Sequence, residues 1–441
     1  MVGAFVCPRA LAVNKSANPR THAKLLETTI RKFLKLVFFM TATPACLLIV
    51  AHAWNECCPA ASSAALDSHP RAREHSRQSK ESEKIMRTFF RRCISTIAFS
   101  VLLPAPLFAQ SKAPDKPIQI KVVVVTMFER GEDTGDVPGE YQLWVEREHL
   151  DQILPLPAGY HHVRLNKDGV LGILTGVGTA KAAASVMAVG LDPRFDLSKA
   201  YWLVAGIGGG DPADVSLGSA VWADHVLDGD LAYEIDARQI PENWPTGYVP
   251  LRKATPYEQP VRPELEGEVY TLNPELVSWA FQLTKQVTLP DSDSLRSSRA
   301  RFTGFPNALK PPFVTRGDTL SSSTFWHGSK FNEWANAWTR YYTGGKGNYM
   351  IAAMEDSGTM QALTFLSQAG LVDLQRVLVL RTVSNYDRES PGSNPADSLK
   401  SMVSGNYSAY FPALEAAQIV GDKVVRDIID HWPERKSIVP H

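Results

Sequence analysis

From Ile118 onward the chain alternates short apolar runs with stretches whose apolar residues recur at helical spacing. Ile118–Thr126 is rich in β-branched residues and reads as the first buried strand. A second strand ends near Leu174, and a turn carrying Gly176 and Gly178 leads into an Ala-rich helix with Thr179 as its expected N-cap. Further strands are predicted from Tyr201, around Gly218–Val226, before Met354, and over Val377–Leu380. Helices are predicted over Pro274–Thr284, over Phe331–Tyr342, and from Met360 through Leu363 and Leu366 to a stop at Gly370. Trp334 and Trp338, four residues apart, read as a core stripe. A closing amphipathic helix is expected within Ser408–His431, through Leu414, Ala417, Val420 and Val424. Strands alternating with helices imply an α/β fold from about Pro117 to the C-terminus.

The polar residues that interrupt this pattern fall at strand ends. The run before Met354 stops at Glu355 and Asp356, and the strand from Val377 ends in Arg381, Ser384, Asn385 and Asp387. In open α/β sheets ligands bind outside the carboxyl ends of strands. A carboxylate beside a helix N-terminus can accept hydrogen bonds from a diol, and an Asn amide both donates and accepts, which suits a purine edge. Gly176 and Gly178 let backbone approach a ligand at a helix N-terminus, which favours anions. Amides at Gly208–Gly210, Gly208 and Gly209 above all, are candidates for an anion-binding nest. His225 reads as a core histidine. The adjacent His161 and His162 have no third ligand at metal spacing, so no metal site is expected.

The first 85 residues do not read as a domain: they are polar and basic around one apolar stretch, Phe33–Trp54, and Arg71–Lys84 is a charged run without periodicity. Pro44 and His52 argue against a membrane anchor there. Residues 86–109 have the three parts of a cleavable secretory signal: a basic start with Arg87, Arg91 and Arg92, an apolar Ile94–Leu103, and Leu107-Phe108-Ala109 before Gln110. Met86 is therefore read as the biological start, and a soluble periplasmic protein beginning at Gln110 is expected. The five cysteines all precede Gln110, so residues 110–441 hold no disulfide and no thiolate nucleophile. A formal net charge of +0 argues against nucleic-acid binding. Pro241–Pro312, rich in Pro, Arg, Ser and Asp, reads as an insertion into the domain and a candidate lid.

Four segments in order carry a resemblance. They are the glycine turn before Thr179, the strand Tyr201–Gly210 with the strand after Gly218, the run Ser321–Ser329, and Met354-Glu355 followed by a strand ending Arg381-Thr382-Val383-Ser384-Asn385. Together they resemble the nucleoside phosphorylase and nucleosidase superfamily, and within it the purine nucleoside permease family. The resemblance implies a three-layer α/β/α domain with a mixed central sheet and a purine nucleoside as ligand. Met354 and Glu355 would hold the ribose, Phe325 would stack on the base, and Asn385 would meet purine N7. Asn can only hydrogen-bond there, a feature of relatives that favour 6-oxopurines such as inosine, and Asp387 is the candidate to supply the missing acid. A Glu in the turn after the first strand would be a further catalytic group, and both Glu129 and Glu132 are open candidates. Where phosphorylases carry Arg and Ser, this chain has Val204 and Ile207, leaving Arg130, Arg164 and Arg381 as possible anion ligands. Water and phosphate both remain open as nucleophile. No cofactor is expected beyond phosphate as a possible co-substrate. The partners implied are purine nucleosides, an inner-membrane transporter in the case of an uptake role, and a second copy of the chain in a homo-oligomer.

Overall fold

Val122–Thr126 and Val377–Tyr386 are buried at every residue, as strands covered on both faces must be. The computed structural model describes residues 116–261, 267–405 and 409–441. The leader, the secretory signal and Met86 lie outside the described residues. In chain order the strands begin with β1 (Ile118–Gln119), β2 (Val122–Thr126), β3 (Gln152–Leu154), β4 (Val163–Leu165) and β5 (Val170–Leu174). They continue with β6 (Phe195–Asp196), β7 (Tyr201–Gly210), β8 (Ala220–Asp228), β9 (Ala232–Glu234) and β10 (Tyr248–Pro250). The last four are β11 (Val269–Thr271), β12 (Val314–Ser321), β13 (Tyr349–Ala353) and β14 (Val377–Tyr386). Ten of them form one sheet in the order β11-β8-β12-β13-β7-β2-β5-β4-β3, with β14 paired to both β7 and β8. The sheet is mixed: β2, β5, β7 and β14 run parallel to their neighbours in that group, while β13 opposes β7 and β14 opposes β8. Pairing runs from β7 to β14, β8, β12, β13 and back to β7, so one half of the sheet closes on itself.

The helices are α1 (Gln142–Arg147), α2 (Thr179–Gly190), α3 (Pro274–Thr284), α4 (Asp293–Arg299), α5 (Ser329–Tyr342), α6 (Asp356–Gln368), α7 (Pro395–Val403), α8 (Tyr410–Asp430) and α9 (Trp432–Ser437). They cover the sheet in two groups. The long α8 lies against β7 and β14, with α1, α3 and α9 beside it, and α2 packs on α6. The second contact is close because Gly358 has no side chain: a Cβ there would meet the Thr179 carbonyl. This packing puts the start of α2 next to the start of α6, where Glu355 lies.

Three sequence expectations change here. Ile118–Thr126 is two strands, because Ile118 pairs with Phe195 rather than with the main sheet. Thr179 is the first helical residue, and the N-cap is Gly178 at φ 97°, with no side-chain cap. The segment from Pro241 contributes core: Leu276, Val277 and Ala280 of α3 are buried, and Trp222 Nε1 donates to Thr284 Oγ1 at 2.9 Å. None of its described residues lines the pocket below.

Candidate functional site

At the end of β13 the chain turns sharply into α6, leaving Glu355 at the N-cap position with φ −131°. Its Oε1 accepts from the Gly178 N–H at 3.2 Å and its Oε2 from Arg381 Nη2 at 3.1 Å. Arg381 is fully buried within β14. It donates from Nη2 and Nε to Asp356 at 2.5 and 3.0 Å, and from Nη1 to the Ile207 carbonyl at 3.1 Å. A third carboxylate adjoins the same guanidinium. Glu140 accepts from the Met127 and Ile207 N–H groups at 2.8 and 2.7 Å. Glu140, Glu355 and Asp356 thus share one cation. Burial raises the Glu140 carboxyl to about 8, with Arg381 pulling it down and Glu355 pushing it up. Burial also raises Glu355, against the pull of Arg381. At neutral pH Glu140 therefore carries a proton.

The other end of the site is the end of β14. The register against β7 slips between Val383 and Asn385, which swings Asn385 beside Gly209. A Cβ on Gly209 would stand 3.1 Å from Asn385 Nδ2, close enough to push that amide aside by a few tenths of an ångström. Asn385 Oδ1 accepts from Ser384 Oγ at 2.9 Å, and its Nδ2 donates to the Tyr386 carbonyl at 3.0 Å. Asp387 is buried and accepts from Tyr349 Oη at 2.7 Å and Asn332 Nδ2 at 3.1 Å. Burial first, and then the charge of Asp211, push its carboxyl well above the usual carboxylate range.

Both ends open into one cavity of about 550 Å³. Its walls include Met354, Glu355, Phe325, Asn385, Asp387, Gly208 and Gly209, so the structure brings these sequence candidates together. Phe325 is 46% exposed at the cavity wall. Met402, Val403, Tyr410 and Phe411 form an apolar wall.

Other candidates lie elsewhere. Glu129 spends its carboxylate on the N–H groups of Arg130, Gly139, Tyr141 and Gln142, which pins the loop after β2 and the start of α1. Glu132 is exposed on that loop, and neither residue lines the cavity. The carboxylate that does is Glu140, at the far end of the loop. Its signal in the sequence was a Glu immediately before the apolar start of a helix. Gly176 and Gly178 also stand outside the wall. Gly176 supports the turn at φ 81°, and Gly178 reaches the site only through its N–H to Glu355. Gly208–Gly210 form no nest: they are extended strand, paired with β13 and β14. Arg164 is bound to Asp133, and Arg381 is committed to Asp356 and Glu355. Arg130 lines the cavity and stacks on Tyr410 at 5.4 Å. His225 Nδ1 donates to Asp318 Oδ1 at 2.7 Å; the ring has its partner but is only half-buried, so it is a structural histidine rather than a core one. The expectation that His161 and His162 lack a third ligand is corrected: folding brings Asp133 to both rings from a different loop.

The fold and the cavity define an α/β protein with an open, carboxylate-lined cavity at converging strand ends. The chain belongs to the purine nucleoside permease family, whose description, "Purine nucleoside permease (NUP)", matches residues 119–438. It is 29% identical over 281 residues to "Probable purine nucleoside permease" of Schizosaccharomyces pombe, covering 62% of this chain and 80% of that one. It is 30% identical over 264 residues to "Purine nucleoside permease" of Candida albicans, covering 59% of this chain. It spans 64%, under two thirds, of that Candida relative. Among solved structures, a 5'-methylthioadenosine/S-adenosylhomocysteine nucleosidase from Neisseria meningitidis aligns at 16% identity and TM-score 0.41, over 70% of this chain and 100% of its own. Futalosine hydrolase of Helicobacter pylori aligns at 12% identity and TM-score 0.42, over 70% and 98%.

Proposed function

We propose that the cavity binds a purine nucleoside and that the protein cleaves its N-glycosidic bond with water. Glu355 accepts hydrogen bonds from the ribose 2'- and 3'-hydroxyls, and Met354 packs on the sugar. Phe325 stacks on the base, and Asn385 hydrogen-bonds its N7 side. Asp387 delivers its proton to the departing purine as the C–N bond breaks. Glu140 acts in its ionised form, the minor one at neutral pH. It accepts a proton from the water that attacks the anomeric carbon and returns it to solvent between turnovers, so cleavage rises as pH approaches 8. The products are free purine and ribose. The observation that carries this reading is the pairing of a buried Asp387, whose carboxyl burial pushes well up, at one end of the cavity with the Glu355–Arg381–Glu140 cluster at the other. Two environments that tune carboxyl groups for different tasks are what acid–base cleavage needs.

Water is favoured over phosphate by charge. The cation nearest the ribose carboxylate is already neutralised by Asp356 and Glu355. A phosphate dianion there would meet a guanidinium whose charge Asp356 and Glu355 already balance, and so would gain little from it. Inosine incubated with purified protein, with and without phosphate, tests the reading by chromatography of the products. Hypoxanthine and ribose without phosphate support it. Release only with phosphate replaces hydrolysis by phosphorolysis.

The family's description supports a second reading, a nucleoside-binding component of uptake. Among the described residues no helix is long and apolar enough to cross a membrane, so such a role requires a separate membrane partner. Measurable inosine binding with no turnover in that assay supports it. Either role is placed, in this proposal, in an exported protein that starts at Gln110, and a homo-oligomer is compatible with both.

A further inference from the structure

Outside the cavity, the loop after β2 and the loop between β3 and β4 meet at three side chains that the proposed chemistry does not use. We propose that Asp133, His161 and His162 form a divalent-metal site of the zinc class that clips these two loops together. Their ligand atoms lie within 4.8 Å of one another. Asp133 is buried, while the imidazoles are 27% and 30% exposed, so an ion can enter from solvent.

Hydrogen bonding fixes the His161 ring. Its Nδ1 lies 3.0 Å from the His162 carbonyl, which can only accept, so Nδ1 carries the proton. In the neutral ring Nε2 then presents a bare lone pair, and it faces Asp133 Oδ1 at 3.4 Å. Two electron-rich atoms facing each other repel unless a cation stands between them. A metal ion supplies the charge and binds all three groups. The separation fits: metal–ligand bonds of about 2.0–2.1 Å in tetrahedral geometry put neighbouring ligand atoms roughly 3.3 Å apart. His162 Nε2 lies 2.7 Å from Asp133 Oδ2 and donates to it. On binding, that ring moves its proton to Nδ1, stays neutral, and offers Nε2 to the metal. Arg164 Nε on Oδ2 and the His162 carbonyl on His161 Nδ1 are the outer partners that orient metal ligands.

Two imidazoles, one carboxylate and a water suit zinc or a neighbouring transition metal better than calcium or magnesium, which take mostly oxygen ligands. The clip would act on the site from outside. Asp133 lies in the loop whose far end is Glu140, and the His161 and Tyr141 rings stand nearly perpendicular with centroids 6.1 Å apart. The proposal is independent of whether the cavity hydrolyses nucleosides.

The test uses untagged full-length protein stripped with a chelator. The chain has 11 histidines and a cysteine-bearing leader, so the comparison is with a His161→Ala/His162→Ala variant. Wild type is expected to bind one more zinc ion than the double variant by calorimetry. Each single variant should weaken that ion by more than about tenfold, since losing even an outer-shell partner of a metal ligand costs that much. Cobalt(II) at the same site should give the visible spectrum of a tetrahedral N/O centre, missing in the double variant. Zinc should also raise the melting temperature of wild type and not of the variant. Equal zinc stoichiometry and affinity in the two proteins, with the variant still folded by circular dichroism, overturns the proposal.

Discussion

Arg381→Met removes the one cation shared by Glu140, Glu355 and Asp356 while keeping most of the apolar stem. Arg381 is 1% exposed, and its guanidinium donates to two of these carboxylates and to the Ile207 carbonyl. Breaking a buried ion pair by deleting one partner costs about 3–5 kcal/mol, because the remaining charge has no compensation. That cost should depend on pH in a definite direction. Glu140 has a folded value of about 8 against 4.5 as an ordinary carboxyl. Between those values the unfolded chain has released its proton and the folded one has not, so stability falls as pH rises. At about 1.4 kcal/mol per pH unit, Glu140 alone accounts for a decline of order 5 kcal/mol across that window. Arg381 lowers both Glu140 and Glu355, so its loss raises both further and extends the decline above pH 8. Urea unfolding of both proteins at about pH 5 and about pH 8.5 measures this. The variant should lose about 3–5 kcal/mol near pH 8.5 and less near pH 5, where Glu140 is neutral. A loss under about 1 kcal/mol, or an equal loss at both pH values, refutes the shared-cation account.

Glu355→Ala should weaken inosine binding by about 1.5–3 kcal/mol, the scale of a hydrogen bond to a charged group; calorimetry showing unchanged affinity in a folded variant removes Glu355 from the site. Asp387→Asn should lower hypoxanthine release by about 10²–10⁴-fold with little change in inosine affinity, as expected for loss of a general acid; full turnover would assign the proton elsewhere. Asn385→Asp should move preference from inosine toward adenosine, since a protonated Asp donates to N7 without help from the 6-oxo group; an unchanged ratio of the two rates counts against Asn385 as the base contact. N-terminal sequencing of protein from the native host should find a start near Gln110, and an intact Met1 or Met86 in a cytosolic fraction would rule out export.

The strands and the main helices were legible because each is specified locally. β14 opens with an unbroken apolar run between Gly370 and a polar end, and α3 follows Asn273 and Pro274, with the Asn side chain accepting from Glu275 and Leu276 N–H groups. Met354, Glu355, Asn385 and Asp387 were legible because they terminate such strands. What escaped depends on partners far along the chain. Gly208–Gly210 have the composition of a turn and become strand only because β13 and β14 arrive from more than a hundred residues later. Glu129 and Glu140 occupy the same loop. Which one faces the cavity is decided by the four amides that capture Glu129 and by Ile207, which holds Glu140. The same holds for Asp133, whose approach to His161 and His162 follows from the way two loops fold over one sheet edge.

β14 sits in the middle of the sheet, yet it is the last strand in the chain. A ribosome or a translocation pore releases β7 and β8 long before the strand that joins them. Until Val377–Tyr386 arrives, these strands present unpaired backbone, and Arg381 is missing from the carboxylates it neutralises. The half-made protein therefore exposes pairing edges in the way that invites wrong partners. Non-local pairing of this kind makes folding slow. Nucleoside binding should accordingly return late in refolding, after most secondary structure has formed, and a chain truncated before Val377 should depend on chaperones to stay in solution.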